Sequence, residues 1–288
     1  MCMATFPIDR LKATKGFASV DVAGPFDRDG VELCWGESAR CTTPDLETLI
    51  DEIWRRELAQ AKRSGAVLFN GDLVRCVGHT MADGVLRIDV GPTDYKSFLG
   101  TNLRSGHLID EIGRDAFANA IGVSALIVSS DDPGVILLGH RSTKVVDQPN
   151  AIHTFGGALD ADDRDVHGNI DVFAAVTREL CEELTLGADD LVALQCLGLV
   201  HDRVIWQPEL VFEARMNMGV EELARRVDVA SENAEHSDVE RIEGLAETLA
   251  NYMVQSKRTT PVAMSALCLH GWQQFGNEWC LNLLERFS

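Results

Sequence analysis

The sequence predicts an α/β protein: a mixed sheet flanked by helices on both sides, preceded by a small α+β unit at the N-terminus. Three observations carry this expectation. Short alternating apolar runs, broken by Asn-Gly, Asp-Gly and Asp-Asp-Pro-Gly pieces, read as strands joined by tight turns. Longer stretches with apolar residues three and four apart read as helices. Their order, a helix and a hairpin first and strands interleaved with helices after Ile121, fits layers of helix on sheet. The division expected is residues 1–118 for the small α+β unit and 119–288 for the larger one.

Residues 1–43 mix turn residues with short apolar pieces such as VDVAGPF and GVELCWG, which suits short strands or irregular chain. The stretch from Thr43 to Gly65 reads as a helix. Thr43 caps free amides, Pro44 fits the first turn, acidic residues face the positive end of the dipole and Gly65 ends it. Residues 67–91 alternate around Asn70-Gly71 and Asp83-Gly84 and predict a hairpin. Residues 122–142 predict two strands around a DDPG turn, followed by a short strand at Ile152 to Phe155 and Gly156-Gly157. An acidic loop then leads to the helix DVFAAVTRELCEEL, to strands at about 192–201 and 209–217, and to helical packing segments, HSDVERIEGLAETLANYMVQS among them.

At 288 residues, 45% hydrophobic and 25% charged, the chain has the composition of an ordinary globular protein with a large core. The formal net charge of -19 repels polyanions, and no Lys/Arg block offsets it, so nucleic acid is not an expected partner. The eight cysteines form no C-x-x-C pair, which predicts reduced thiols and a cytoplasmic address. No segment offers the ~18 consecutive apolar residues of a membrane span. A monomer or a homodimer is expected, with a small-molecule partner.

In the helix after the acidic loop, Val172, Ala175, Val176, Leu180 and Leu184 form the buried face. Glu179, Glu182 and Glu183 stand at i, i+3 and i+4, so their carboxylates share one turn. Such a trio is either a solvated acidic face or the oxygen-ligand set of a hard cation, for which magnesium is suited because it uses a few carboxylates plus phosphates and waters. The histidines at 79, 107, 140, 153, 167, 201, 236 and 270 are scattered, with no zinc spacing. Neither a G-x-S-x-G elbow nor a P-loop is present.

The order R-E-L-C-E-E-L-T-L from Arg178 closely resembles the second half of the Nudix signature, and Gly156-Gly157 resembles its glycine start. The resemblance implies a Nudix α/β/α sandwich and a magnesium-dependent diphosphate hydrolase, with Mn2+ as a possible substitute. It implies that Arg178 orients a carboxylate, while Glu179, Glu182 and Glu183 hold the metal and Glu179 and Glu183 assist the attacking water. Two positions depart from the pattern. The signature's first Glu falls on Ile170, leaving Asp171 as the expected substitute, and Thr185 replaces a glycine, so termination at Gly187 is expected.

The stretch PTDYKSFLGTN, residues 92–102, extends the likeness to the eukaryotic Nudix enzymes that hydrolyse UDP-glucose and UDP-galactose to UMP and sugar 1-phosphate. In that reading Tyr95 stacks on the base and Asn102 pairs with a uracil edge, with packing and a turn as the plainer account of the same stretch. Glu209 aligns with an acidic residue of those enzymes, as an extra metal ligand, a base, or an outward strand residue. Arg141 is a candidate for neutralising diphosphate or for a surface ion pair, and Arg203 is a further candidate for substrate contact. The competing functions are hydrolysis of another nucleoside diphosphate derivative, ADP-ribose or a dinucleotide, and a catalytically silent module that senses a nucleotide.

Overall fold

The computed structural model describes residues 5–65, 67–142, 148–230 and 236–287. A short helix α1 (Ile8–Ala13) leads into β1 (Ser19–Phe26) and β2 (Val31–Trp35), then α2 (Pro44–Ser64) and the hairpin β3 (Asp72–Ala82) and β4 (Val85–Asp94). Two single turns, α3 (Tyr95–Phe98) and α4 (Ile109–Ile112), lead to β5 (Gly122–Val128) and β6 (Val135–Arg141). Next come β7 (Ile152–His153), β8 (Phe155–Ala158), α5 (Val172–Leu184), β9 (Leu191–His201), β10 (Pro208–Met216) and α6 (Val220–Ala230). The strand β11 (His236–Glu243) and helices α7 (Ala246–Gln255) and α8 (Pro261–Glu285) complete the chain.

The large sheet runs β1-β9-β10-β5-β6-β11, with β7 on β6 and β8 on β5. It is mixed, because β10 and β5 are parallel over Glu209–Arg215 and Gly122–Val128 while its other pairs are antiparallel. Alternation along β10 sends Leu210, Phe212 and Ala214 to one face, where α5 packs, and Val211 to the other, where α7 and α8 pack. Helices cover both faces, which is the α/β/α arrangement expected. Phe173 of α5 meets Phe212 of β10 edge to face at 5.1 Å between centroids, fixing the helix over the sheet.

The α2 expectation holds in detail: Thr43 accepts from the Leu46 amide at 3.2 Å, and Gly65 adopts the left-handed conformation. The β3–β4 turn lies at Asp83-Gly84, both at positive φ, as a primed hairpin turn requires. The other Asn-Gly pair precedes β3 instead of breaking it.

Two expectations change, at His236 and at Thr185. Elements on the two sides of residue 118 are joined. β1 is hydrogen-bonded to β9 in the large sheet, and the small sheet β2-β4-β3 shares its apolar core with α5. The Val74 amide donates to Leu159 O, and the Ile121 amide to Val74 O, so β3 is stitched to the start of β5. The segment from His236 is a strand before it is a helix, because the outer edge of β6 takes a partner there and only Ile242 of the strand's far half is buried. Thr185, not Gly187, occupies the left-handed helix end, with φ 52 and ψ 43. Its carbonyl accepts from Arg226 at 3.3 Å and Leu186 is buried behind it, so tertiary contacts hold a conformation that a β-branched residue disfavours. Finally, α8 is broken at Gly276, and the chain folds back so that Cys268 and Cys280 face each other at 3.6 Å between sulfurs. Among the described residues no helix is long and apolar enough to cross a membrane.

Candidate active site

Helix α5 begins at Asp171, whose Oδ1 accepts from the amides of Phe173 at 3.0 Å and Ala174 at 3.2 Å. Its other oxygen pairs with Arg28. Asp171 is therefore engaged as a helix cap. The carboxylate that meets Arg178 is Asp163, which the acidic loop delivers. Asp160 and Asp163 form a capping box around a single 3-10 turn, with Asp160 N donating to Asp163 Oδ2 at 3.0 Å. Asp163 is left with both oxygens toward Arg178, at 2.9 Å and 3.2 Å from Nη2.

From that anchor Arg178 reaches Glu179 Oε1 at 2.9 Å and Glu182 Oε2 at 3.6 Å. Burial opposes the guanidinium charge, but the Asp163 hydrogen bonds and the charges of Glu179, Asp163 and Glu182 outweigh it and push its pKa up. Glu179 behaves in the opposite sense. Burial, set against Arg178 and reinforced by Glu183 and Glu182, raises its pKa to about 7. Glu182 is 63% exposed and Glu179 15%.

Glu183 lies deeper, at 8% exposure, with Oε2 accepting from the Gly156 amide at 2.9 Å and Oε1 at 3.5 Å from His236 Nε2. The two glycines are required here. Gly156 has φ 149, and a Cβ on it would sit 2.1 Å from Val123 O; a Cβ on Gly157 would sit 2.7 Å from Glu179 Oε2. The sequence therefore leaves backbone bare where two carboxylates must approach.

Gly156 pairs with Ser124 across β8 and β5, and Ser124 Oγ donates to Glu209 Oε1. One rung of the sheet thus carries both buried carboxylates, Glu183 on its amide and Glu209 on its hydroxyl. Ser124 Oγ in turn accepts from Thr154 Oγ1 at 2.7 Å. Glu209 is 8% exposed, and His153 Nε2 stands 3.8 Å from its Oε1. His153 Nδ1 lies 2.6 Å from Thr260 Oγ1. Burial, then the charges of Arg141 and His236, hold the His153 pKa well below its usual value, so the ring is neutral. Arg141 ends β6, in register with His236 at the start of β11.

Of the residues singled out in the sequence, Arg178, Glu179, Glu182, Glu183, Glu209 and Arg141 converge on this region. Tyr95, Asn102 and Arg203 are engaged elsewhere. Tyr95 packs against Trp54 and Phe98, each 6.4 Å away between centroids. Asn102 is buried, its Nδ2 donating to Ile205 O at 2.7 Å and its Oδ1 accepting from the Asn119 amide at 3.0 Å, which ties three loops together and leaves no uracil-reading edge. Arg203 donates to Leu11 O at 3.3 Å and anchors α1. Asp163, Ser124, His153, Thr154 and His236 were not foreseen. A D-x-x-D capping box was readable for Asp163, whereas the histidines are brought in by strand pairing, which leaves no local signal.

Among the described residues no three acidic, histidine or cysteine side chains already stand as a closed metal cage. The donor chemistry nevertheless fits a hard divalent cation. Three carboxylates share one helical turn, and burial together with the neighbouring Glu183 and Glu182 disfavours the Glu179 charge that a cation would stabilise. A cation there competes with Arg178 for Glu179 and Glu182.

Among known proteins the chain is similar to Nudix hydrolase 9 of Arabidopsis thaliana, 22% identical over 231 residues, spanning 69% of this chain and 72% of that one. No family profile matches the chain. Solved structures with partial likeness include an Ap4A hydrolase from C. elegans (14% identity, 54% of this chain and 97% of that one, TM-score 0.32). Another is a bifunctional NMN adenylyltransferase/ADP ribose pyrophosphatase from Francisella tularensis (15% identity, 55% and 41%, TM-score 0.34).

Proposed function

We propose that this chain is a Nudix-type hydrolase that cleaves the diphosphate of a nucleoside diphosphate sugar, UDP-glucose or UDP-galactose, into UMP and sugar 1-phosphate. The observation that carries the reading is the α5 turn: Glu179 and Glu183 are laid against Gly157 and Gly156, and Arg178 is locked from behind by Asp163. Glu179, Glu182 and Glu183 are the residues that would hold magnesium or manganese, which would supply charge neutralisation for the diphosphate and activation of the attacking water.

The chain's own groups do the rest. Arg178 fixes the Glu179 carboxylate, the Gly156 amide and His236 fix Glu183, and Arg141 adds positive charge felt at His153. Glu183 and Glu209 are the carboxylates placed to accept a proton from water. The choice of UDP-sugar rests on the likeness of residues 92–102. Tyr95 and Asn102 of that stretch are engaged in packing, so a substrate panel must include ADP-ribose and diadenosine diphosphate. The seven described cysteines are free thiols, in keeping with a reducing, cytoplasmic setting.

The test is incubation with magnesium and the panel, with products separated by chromatography. Chelator-sensitive release of UMP and sugar 1-phosphate is the expected result. Turnover of ADP-ribose or a dinucleotide alone keeps the class and replaces the substrate. Binding without turnover makes the chain a sensor. Glu183→Gln is expected to lower kcat at least about 100-fold without changing the fold, as loss of an acid-base or charge-stabilising group does.

A further inference from the structure

The buried polar line on the α8 side of the sheet is not needed for packing. Ser124 and Glu209 on strands, Thr154 between β7 and β8, His153 on β7 and Thr260 at the head of α8 form one connected line. Apolar side chains of equal size would fill the same space, so five polar groups here call for a reason.

The direction of the line follows from its donors. Thr260 Oγ1 already accepts from the Ala263 amide at 3.2 Å, as the cap of α8. A second lone pair and the O–H both remain on Thr260 Oγ1 for His153 Nδ1, 2.6 Å away, so the other ring nitrogen decides the direction. Nε2 faces the Glu209 carboxylate, which favours the ring proton on Nε2, and Nδ1 then accepts from the Thr260 hydroxyl. On the far side Glu209 receives the Ser124 hydroxyl, whose lone pair is occupied by Thr154. The carboxylate is thus approached by a donor from each flank.

We infer that His153 is a positioning residue for the proposed hydrolysis: with its proton on the Nε2 that faces the carboxylate and its Nδ1 held by Thr260, it orients Glu209 as the carboxylate that deprotonates the attacking water. The inference rests on the functional reading given above. The separation of 3.8 Å between Nε2 and Oε1 is longer than a hydrogen bond, and the proposal requires it to shorten when substrate is bound. In the reaction the water oxygen forms the new bond to phosphorus. The bridging P–O bond breaks, and its electron pair leaves with the departing phosphate. The water's proton passes to Glu209 and from there to the departing phosphate or to solvent. His153 holds Glu209 and takes no proton itself, as the orienting member of a hydrogen-bonded catalytic set does.

Two measurements test this, one of them independent of turnover. With histidine labelled by 15N, long-range proton–nitrogen spectra of the full chain assign the His153 ring by its absence in His153→Gln. An Nε2–H tautomer whose shifts move in Glu209→Gln and in Thr260→Val, but not in Thr260→Ser, is expected. An Nδ1–H tautomer overturns the inference whether or not any substrate is found. On whichever panel member the wild type turns over, His153→Leu is expected to lower kcat about 10–100-fold with KM unchanged. His153→Gln, whose amide nitrogen reaches the Nε2 position, is expected to recover most of that loss. In the Glu209→Gln background His153→Leu is expected to add nothing, since the two act as one unit. Full, additive losses from both substitutions show a merely structural histidine and overturn the proposal. A chain that hydrolyses no panel member yet shows the Nε2–H tautomer coupled to Glu209 overturns the functional reading and leaves the orientation of Glu209 standing.

Discussion

Asp163 holds Arg178 with both carboxylate oxygens and is itself almost wholly buried, at 6% exposure. A support of this kind behind a metal-binding set affects affinity more than fold. Asp163→Asn is expected to weaken activation by magnesium about 10–100-fold, read by titrating the metal against rate. Asp171→Asn is expected to leave that titration unchanged, because asparagine caps a helix as well as aspartate does. The contrast decides which acid does the work of the signature's first Glu. At this scale the sequence was legible where the chemistry is local. Arg178, Glu179 and Glu183 lie on one helical turn, and spacing alone brings them together. His153 and His236 lie 83 residues apart and meet only because β6 pairs with β7 on one side and β11 on the other. Nothing near either residue in the chain announces that.

The elements that position the site depend on bare backbone as much as on side chains. Gly156→Ala places a methyl group 2.1 Å from Val123 O at a φ that side chains avoid, so β8 must leave β5 or shift along it. A loss of about 2–4 kcal/mol in unfolding free energy is expected, measured by denaturant titration, together with loss of the Glu183 anchor. Helix α2, the β3–β4 hairpin and α5 were readable because caps, turn residues and periodicity agree with their tertiary setting. β11 was not. Its sequence, HSDVERIE, has helix-forming composition, and only the open edge of β6 makes it a strand. Thr185 shows the same override in one residue, held left-handed by Arg226 and Leu186 against its own preference.

Across the whole molecule the two helical layers are joined to the sheet by different chemistry. On the α5 face an apolar contact is joined by Glu183 on the Gly156 amide, whereas on the α8 face a buried histidine–carboxylate pair crosses it: His270 Nδ1 lies 2.5 Å from Glu213 Oε2. Burial alone would raise the Glu213 pKa, but the His270 hydrogen bond and charge, with Arg215, lower it. A carboxylate with a lowered folded-state pKa adds stability that is complete above its unfolded value, near 4.5, and disappears as pH falls through the folded one. Unfolding scans between pH 6 and pH 3 are expected to show an acid loss in the wild type that is shallower in Glu213→Gln. The joining of elements across residue 118 was not legible in the sequence for a related reason. Local patterns mark where elements begin, but they do not say that β1 will close the far edge of the later sheet or that β3 will lend its apolar face to the core under α5.

β5 changes partners midway along one edge. It is bonded to β8 from Gly122 to Ala125 and to β6 only at Ile127 and Val128, while its other edge is joined to β10 over its full length. The forked edge gathers the working groups, and the continuous edge carries the foundation. A lineage built on this plan is free to vary the groups in the fork, and with them the molecule it accepts, without loosening the seam that keeps the chain folded. Inherited stability and acquired taste are kept on opposite sides of a single strand.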